Sequence, residues 1–151
     1  MRQFANVAAL QAEVGNEVAV SEWMTISQER VNQFATATDD PQWIHVDVER
    51  AKRESPFGGT IAHGYMTLSL IPALFESVVE LPAGKMSINY GLNKVRFPSP
   101  MLVGGRLRGR FKLLAIEPMD GCVQSIWQMT IEREGSDKPV CVAESVLRKY
   151  F

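Results

Sequence analysis

The segment 61-IAHGYMTLSLIPALFESVVEL-81 decides the fold, because it is apolar on nearly every side of a helical projection. Only His63, Thr67, Ser69, Glu76, Ser77 and Glu80 interrupt it. A helix of that kind is either a membrane span or the buried centre of a fold. The interior Pro72, the polar residues and the lack of a second hydrophobic segment all favour the centre of a fold. The expectation is therefore a long buried helix from Ile61 to about Leu81.

Downstream, the chain reads as strand upon strand. Met86, Ile88, Tyr90 and Leu92 alternate on even positions, and Val95 and Phe97 then take over on odd ones. A one-residue slip exchanges the faces of a strand, so this change of parity predicts a bulge or bend around Gly91–Asn93. Leu107, Phe111 and Leu113 alternate with Arg106, Arg108, Arg110 and Lys112, which read as the solvated face of a strand. Val123, Trp127, Met129 and Ile131 repeat the pattern, and Val140, Val142 and Val146 close the chain. Turns at 117-EPMDG-121 and 134-EGSDKP-139 suit an antiparallel meander.

Upstream, residues 4–13 suit a short helix ended by Gly15, and residues 17–21 a short strand. A clearer helix follows, capped by Thr25 or Ser27, with Thr25 and Gln28 at capping-box spacing. Val31, Phe34, Ala35 and Thr38 share one face of it. Pro41 disfavours the helical conformation at Asp40 and ends the helix there. Residues 47–54 add another turn or two, and 55-SPFGG-59 is a loop.

A chain of 151 residues favours one domain with a sizeable core. A charged fraction of 22% and a net charge of -1, with the basic residues spread out, leave no bulk attraction for nucleic acid or an anionic membrane. The N-terminus lacks the apolar core and cleavage site of a signal peptide, which predicts a cytoplasmic protein. Cys122 and Cys141, with no CxxC between them, read as small apolar residues on late strands in a reducing compartment. The sequence offers no metal-ligand spacing, no GxSxG and no Walker or dinucleotide fingerprint, so no cofactor is expected.

The stretch 38-TDDPQWIHVD-47 asks for more than a turn. Taken singly, Asp39 and Asp40 end a helix and His45 is a structural, hydrogen-bonded histidine. Residues five apart on a continuous helix point roughly 140° away from each other. Asp40 and His45 can therefore share a pocket only if the chain breaks between them, and Pro41 supplies that break.

Together, 34-FATATDDPQWIHVDVERA-51 and 57-FGGTIAHGYMTLSL-70 resemble the signature of the MaoC-like dehydratases, also called (R)-specific enoyl-CoA hydratases, and QWIH resembles their NodN-like branch. The run 89-NYGLNKVRFPSPMLVGGRLRGR-110 is similar to their substrate-facing strands, so the resemblance covers nearly the whole chain. It implies an α+β hot-dog fold, a sheet wrapped around a central helix, and a homodimer with sites near the interface. The family pattern is D-x-N-P-x-H. Asp40 and His45 hold its ends, while Gln42 stands where asparagine is usual and Trp43 where proline is usual. The implied activity is syn addition of water to a trans-2-enoyl thioester of CoA or acyl carrier protein, or the reverse dehydration. Asp40 and His45 would be catalytic, and the Gly64 N–H at the helix start would serve the developing enolate oxygen.

Four further residues are candidates around the substrate. His63 braces the loop rather than carrying protons. Ser69 either meets the acyl chain or bonds its own backbone. Arg96 either meets the carrier's phosphates or pantetheine or is an exposed strand arginine. Trp43 lines the acyl pocket or plugs the fold. Two rival functions remain open on the sequence: a thioester hydrolase using Glu76, and a non-catalytic acyl-thioester binding protein.

Overall fold

A computed structural model describes residues 1–151. The chain opens with β1 (Arg2–Gln3), α1 (Val7–Gln11), β2 (Glu17–Val20) and β3 (Met24–Thr25). Four helical segments follow: α2 (Gln28–Thr38), α3 (Trp43–Val46), α4 (Val48–Glu54) and α5 (Gly64–Ser69). Then come α6 (Ile71–Glu76), β4 (Val79–Glu80) and the long strands β5 (Met86–Arg96), β6 (Arg106–Met119), β7 (Cys122–Arg133) and β8 (Cys141–Tyr150). The main sheet is antiparallel, in the order β2-β6-β7-β8-β5, with β3 also beside β6. The expected meander of β6, β7 and β8 is present, and β5 crosses over to the far edge. This is an α+β hot-dog arrangement, with α5 and α6 against the inner face of the sheet.

The inner face is built from the residues that the alternation selects. Leu107, Phe111, Leu113, Trp127, Met129 and Ile131 are all buried there, and Phe75 of α6 sits edge-on to two of their rings. Its centroid lies 5.2 Å from that of Phe111 and 4.8 Å from that of Trp127. A buried phenylalanine in such a position contributes about 3–5 kcal/mol, by the cost of truncating one to alanine. The alternate residues face water as expected. Arg106, Arg108 and Arg110 pair with Glu134, Glu132 and Glu17, and Lys112 is exposed. The pairing of β5 with β8 shifts between Asn89 and Gly91 and again between Leu92 and Lys94, where the parity change predicts it. Cys122 and Cys141 are buried free thiols on β7 and β8. Burial pushes the Cys141 thiol up to about 11, which leaves it inert at neutral pH.

Three expectations are corrected. The helix from Ile61 to Leu81 is shorter and broken into α5 and α6, and Val79–Glu80 is strand. Pro72 has no N–H to offer the Leu68 carbonyl, so regular helix lapses at Leu70 and resumes beyond it. It is also buried on one side only: Tyr65, Ser69, Ala73 and Glu76 are exposed. Second, the capping box of Thr25 and Gln28 does not form: of the two expected caps it is Ser27 whose hydroxyl accepts the Arg30 N–H at 3.2 Å, while Thr25 belongs to β3. The Gln28 amide, freed from a capping box, turns elsewhere. Third, the helix expected over residues 4–13 is confined to Val7–Gln11, where the Asn6 side chain accepts the Ala9 N–H and fixes a later start.

Candidate active site

Asp40 is delivered by the end of α2. Asp39 adopts the left-handed conformation (φ 54°) that aspartate tolerates, and the N–H groups of Asp39 and Asp40 both donate to the Ala35 carbonyl. The chain then turns through Pro41 into the single helical turn α3, which was not foreseen. That turn swings His45 inward until 7% of it is exposed, whereas the Asp40 side chain keeps 52% exposure. Trp43 is not part of the cleft along α5 and α6, nor is it buried in the core. It is half-buried, with the Arg50 guanidinium stacked 4.3 Å above its ring.

Gln28 locks this turn to the segment before α5. Its amide N–H donates to the His45 carbonyl at 2.7 Å, and its amide oxygen accepts the Thr60 hydroxyl at 2.6 Å. The Ile61 N–H donates to the Ile44 carbonyl at 3.0 Å, and the Ala62 N–H to the Met101 carbonyl at 2.8 Å. Gln28 and Thr60 are thus supports that sequence reasoning missed, since no local pattern joins residues so far apart in the chain.

The hydrogen bonds set both imidazole tautomers. His45 Nδ1 lies 2.6 Å from the Ile61 carbonyl oxygen, which can only accept, so Nδ1 carries the proton and Nε2 presents a lone pair. His63 Nε2 lies 2.9 Å from the Asp40 carbonyl oxygen and carries its proton for the same reason. The two rings stack, with centroids 3.7 Å apart and planes inclined by 26°. Burial, the largest effect, holds His45 below its ordinary 6.5; the Ile61 hydrogen bond and Asp40 pull upward and His63 pulls down. With the folded value depressed, the unfolded chain takes up the proton first as pH falls. Stability should therefore decline through and below about pH 6.5, seen as a falling urea midpoint, and His45→Gln should flatten that part of the profile.

The structure brings together Asp40, His45, His63 and Gly64. A carboxylate oxygen of Asp40 and one nitrogen of each ring lie within 4.8 Å of one another, although the sequence shows no metal-ligand spacing. Near-parallel stacked rings carry their lone pairs in near-parallel planes, which is a poor chelate for a single ion. Gly64 starts α5, and neither its N–H nor that of Tyr65 has an acceptor earlier in the helix. The Phe97 ring closes on it, 3.0 Å from where a Cβ would stand.

Ser69 and Arg96 lie apart from this group. The Ser69 hydroxyl donates to the Tyr65 carbonyl at 2.7 Å, and Arg96 is exposed, donating to the Val95 carbonyl at 2.7 Å. A cleft of about 680 Å³ opens along α5 and α6, between Leu68, Ser69, Ile71 and Phe75 on one side and Leu92 and Ser145 on the other. Its first residue on α5, Leu68, is one helical turn, about 6 Å, past Gly64. Glu76 is also on its wall, at the far end of α6 from Gly64 at the start of α5.

A broken helix laid in an antiparallel sheet, with an Asp–His pair at its N-terminal end, defines a class. Residues 9–131 match the MaoC-like domain, and the chain belongs to the MaoC-like dehydratase family. It is 54% identical over 149 residues to 3-hydroxyacyl-thioester dehydratase Z of Mycobacterium tuberculosis, covering 98% of each chain. It is 42% identical over 140 residues to nodulation protein N of Rhizobium leguminosarum bv. viciae, covering 91% of this chain and 87% of that one. Among solved structures, the unliganded (R)-hydratase PhaJ1 of Pseudomonas aeruginosa superposes with a TM-score of 0.72 at 25% identity, over 91% of this chain and 82% of that one. No helix is long and apolar enough to cross a membrane.

Proposed function

We propose that this chain, acting as a single domain, adds water reversibly to trans-2-enoyl thioesters and yields (R)-3-hydroxyacyl thioesters. The observation that carries the reading is the approach of the Asp40 carboxylate to the imidazoles at the start of α5, within 4.8 Å. One water fits a gap of up to that size: two hydrogen bonds of about 2.8 Å spanning the full separation would meet at roughly 120°. His45 Nε2 takes a proton as the water oxygen bonds to C3, and Asp40 accepts the other O–H and aims it. The proton returns to C2 on the same face, so water is added syn and nothing else is consumed. The Gly64 N–H donates to the thioester oxygen as enolate charge develops, in the manner of an oxyanion hole.

The acyl chain follows α5 into the cleft past Leu68 and Ser69, and Arg96 stands ready for the phosphates of CoA or an acyl carrier protein. A second copy of the chain pairs along β5. That 11-residue strand is the edge of the main sheet and exposes Met86, Ile88, Tyr90 and Leu92 by 38–57%. Light scattering should give twice the 16.9 kDa of one chain. Buried free thiols suit a reducing cytoplasm.

The test of function is purified protein with crotonyl-CoA, followed by the loss of conjugated thioester absorbance and by chiral analysis of the product. (R)-3-hydroxybutyryl-CoA is the expected product, with longer enoyl-CoAs tried in parallel. Free CoA would replace this reading with a hydrolase. Tight binding without turnover at every chain length would replace it with a binding protein.

A further inference from the structure

His63 braces the loop through the Asp40 carbonyl, and its placement does more than that. It is 3% exposed, and its ring lies between Phe34, at a centroid distance of 5.1 Å, and the His45 imidazole at 3.7 Å. Its Nε2–H donates to the main-chain carbonyl of Asp40 at 2.9 Å. Its other nitrogen, Nδ1, is buried and has no hydrogen-bond partner. A residue that only filled this space would do so better with an apolar ring, which brings no unpaired nitrogen into the interior.

One side chain thus touches both members of the pair, one through its edge and the other through its face. We infer that His63 is the positioning residue of the site: it holds Asp40 through the carbonyl and His45 through the ring stack, and so fixes the gap in which the water is activated. This rests on the hydratase reading of Asp40 and His45. The edge contact alone would position Asp40 and leave His45 free to tilt about its Ile61 hydrogen bond. The face contact alone would leave Asp40, half-exposed at the end of a helix, free to move. His63 joins the two parts of the chain, residues 40–45 and 61–64, at the point where their relative position matters. A displacement of about 1 Å at a reacting centre can cost about 10²-fold in rate.

The second imidazole also affects the charge of the first. Asp40 and His63 are the titratable groups that face His45; α2 contributes Gln28 and Phe34, and the segment before α5 contributes Thr60 and Ile61, none of which titrates. His63 is one of the groups that hold the His45 value down, so removing that ring should make His45 easier to protonate.

Two variants separate the contacts. His63→Phe keeps a ring to stack on His45 but has no donor for Asp40, and His63→Gln keeps a donor but has no ring. Each should lower kcat on crotonyl-CoA by about 10–100-fold with KM within about threefold, because the reacting groups are misplaced while the thioester still binds. Each should also raise the His45 titration midpoint, read from its ring resonances by NMR. A folded variant with kcat within threefold of the parent and an unmoved His45 midpoint would overturn the assignment. If the parent protein hydrates no enoyl thioester, the function falls on that result alone, and the NMR titration still decides whether His63 governs His45.

Discussion

Asp40→Asn and His45→Gln should each reduce kcat/KM for enoyl-CoA hydration by about 10²–10⁴-fold, the range for a positioned acid–base group. The two substitutions differ in what else they disturb, and that difference makes the result interpretable. The Asp40 side chain is half-exposed and takes part in no strong hydrogen bond of its own, with His63 Nε2 3.8 Å from its carboxylate. Asparagine has nearly the same shape, so Asp40→Asn should unfold at the parent's temperature while losing activity. His45 is buried and donates to Ile61 at 2.6 Å, so His45→Gln removes a short hydrogen bond together with the base. Its melting temperature should fall. The proposed mechanism has both side chains act on one water, so the double variant should be little slower than the slower single variant. Activity within threefold of the parent in Asp40→Asn, with an unchanged melting temperature, would remove Asp40 from the mechanism.

What the sequence revealed and what it hid follow from the range over which each interaction acts. The alternation in β6 and β7 was readable because one face meets a dry core and the other meets water, and a period of two records that difference residue by residue. The broken geometry between Asp40 and His45 was readable because proline acts on its immediate neighbour. The burial of the Ile61–Leu81 segment was overestimated because an apolar residue facing a cleft looks the same in sequence as one facing a core, while its length was cut by Pro72. Leu68 and Pro72, on the cleft wall, are of this kind. Gln28 was misread because the capping-box rule looks three residues away, whereas its partners are 17 and 32 residues distant. The stack of His45 on His63 left no local trace at all, because it exists only once the α3 turn and the start of α5 are brought together.

Gly64→Ala should lower kcat by about 10²–10³-fold, the usual effect of losing one oxyanion donor, because the N–H stays in place but the added methyl group displaces or obstructs it. The backbone itself accepts alanine, since Gly64 is not among the positive-φ glycines and lies in helix. What the methyl group meets is the Phe97 ring, at 3.0 Å from both Cγ and Cδ2, closer than carbon atoms sit at ease. Either the ring retreats or the start of α5 does. A methyl group at this position also stands beside the N–H proposed to receive the thioester oxygen. Steric crowding and a blocked donor predict different behaviour when the ring is trimmed. Phe97→Leu combined with Gly64→Ala relieves the crowding without restoring access to the donor. If the donor is what counts, the pair should stay within about threefold of Gly64→Ala alone. Recovery of most of the activity in the pair would mean that Gly64 is there to admit Phe97, and the enolate oxygen would need another donor, for which the Tyr65 N–H is the neighbouring candidate.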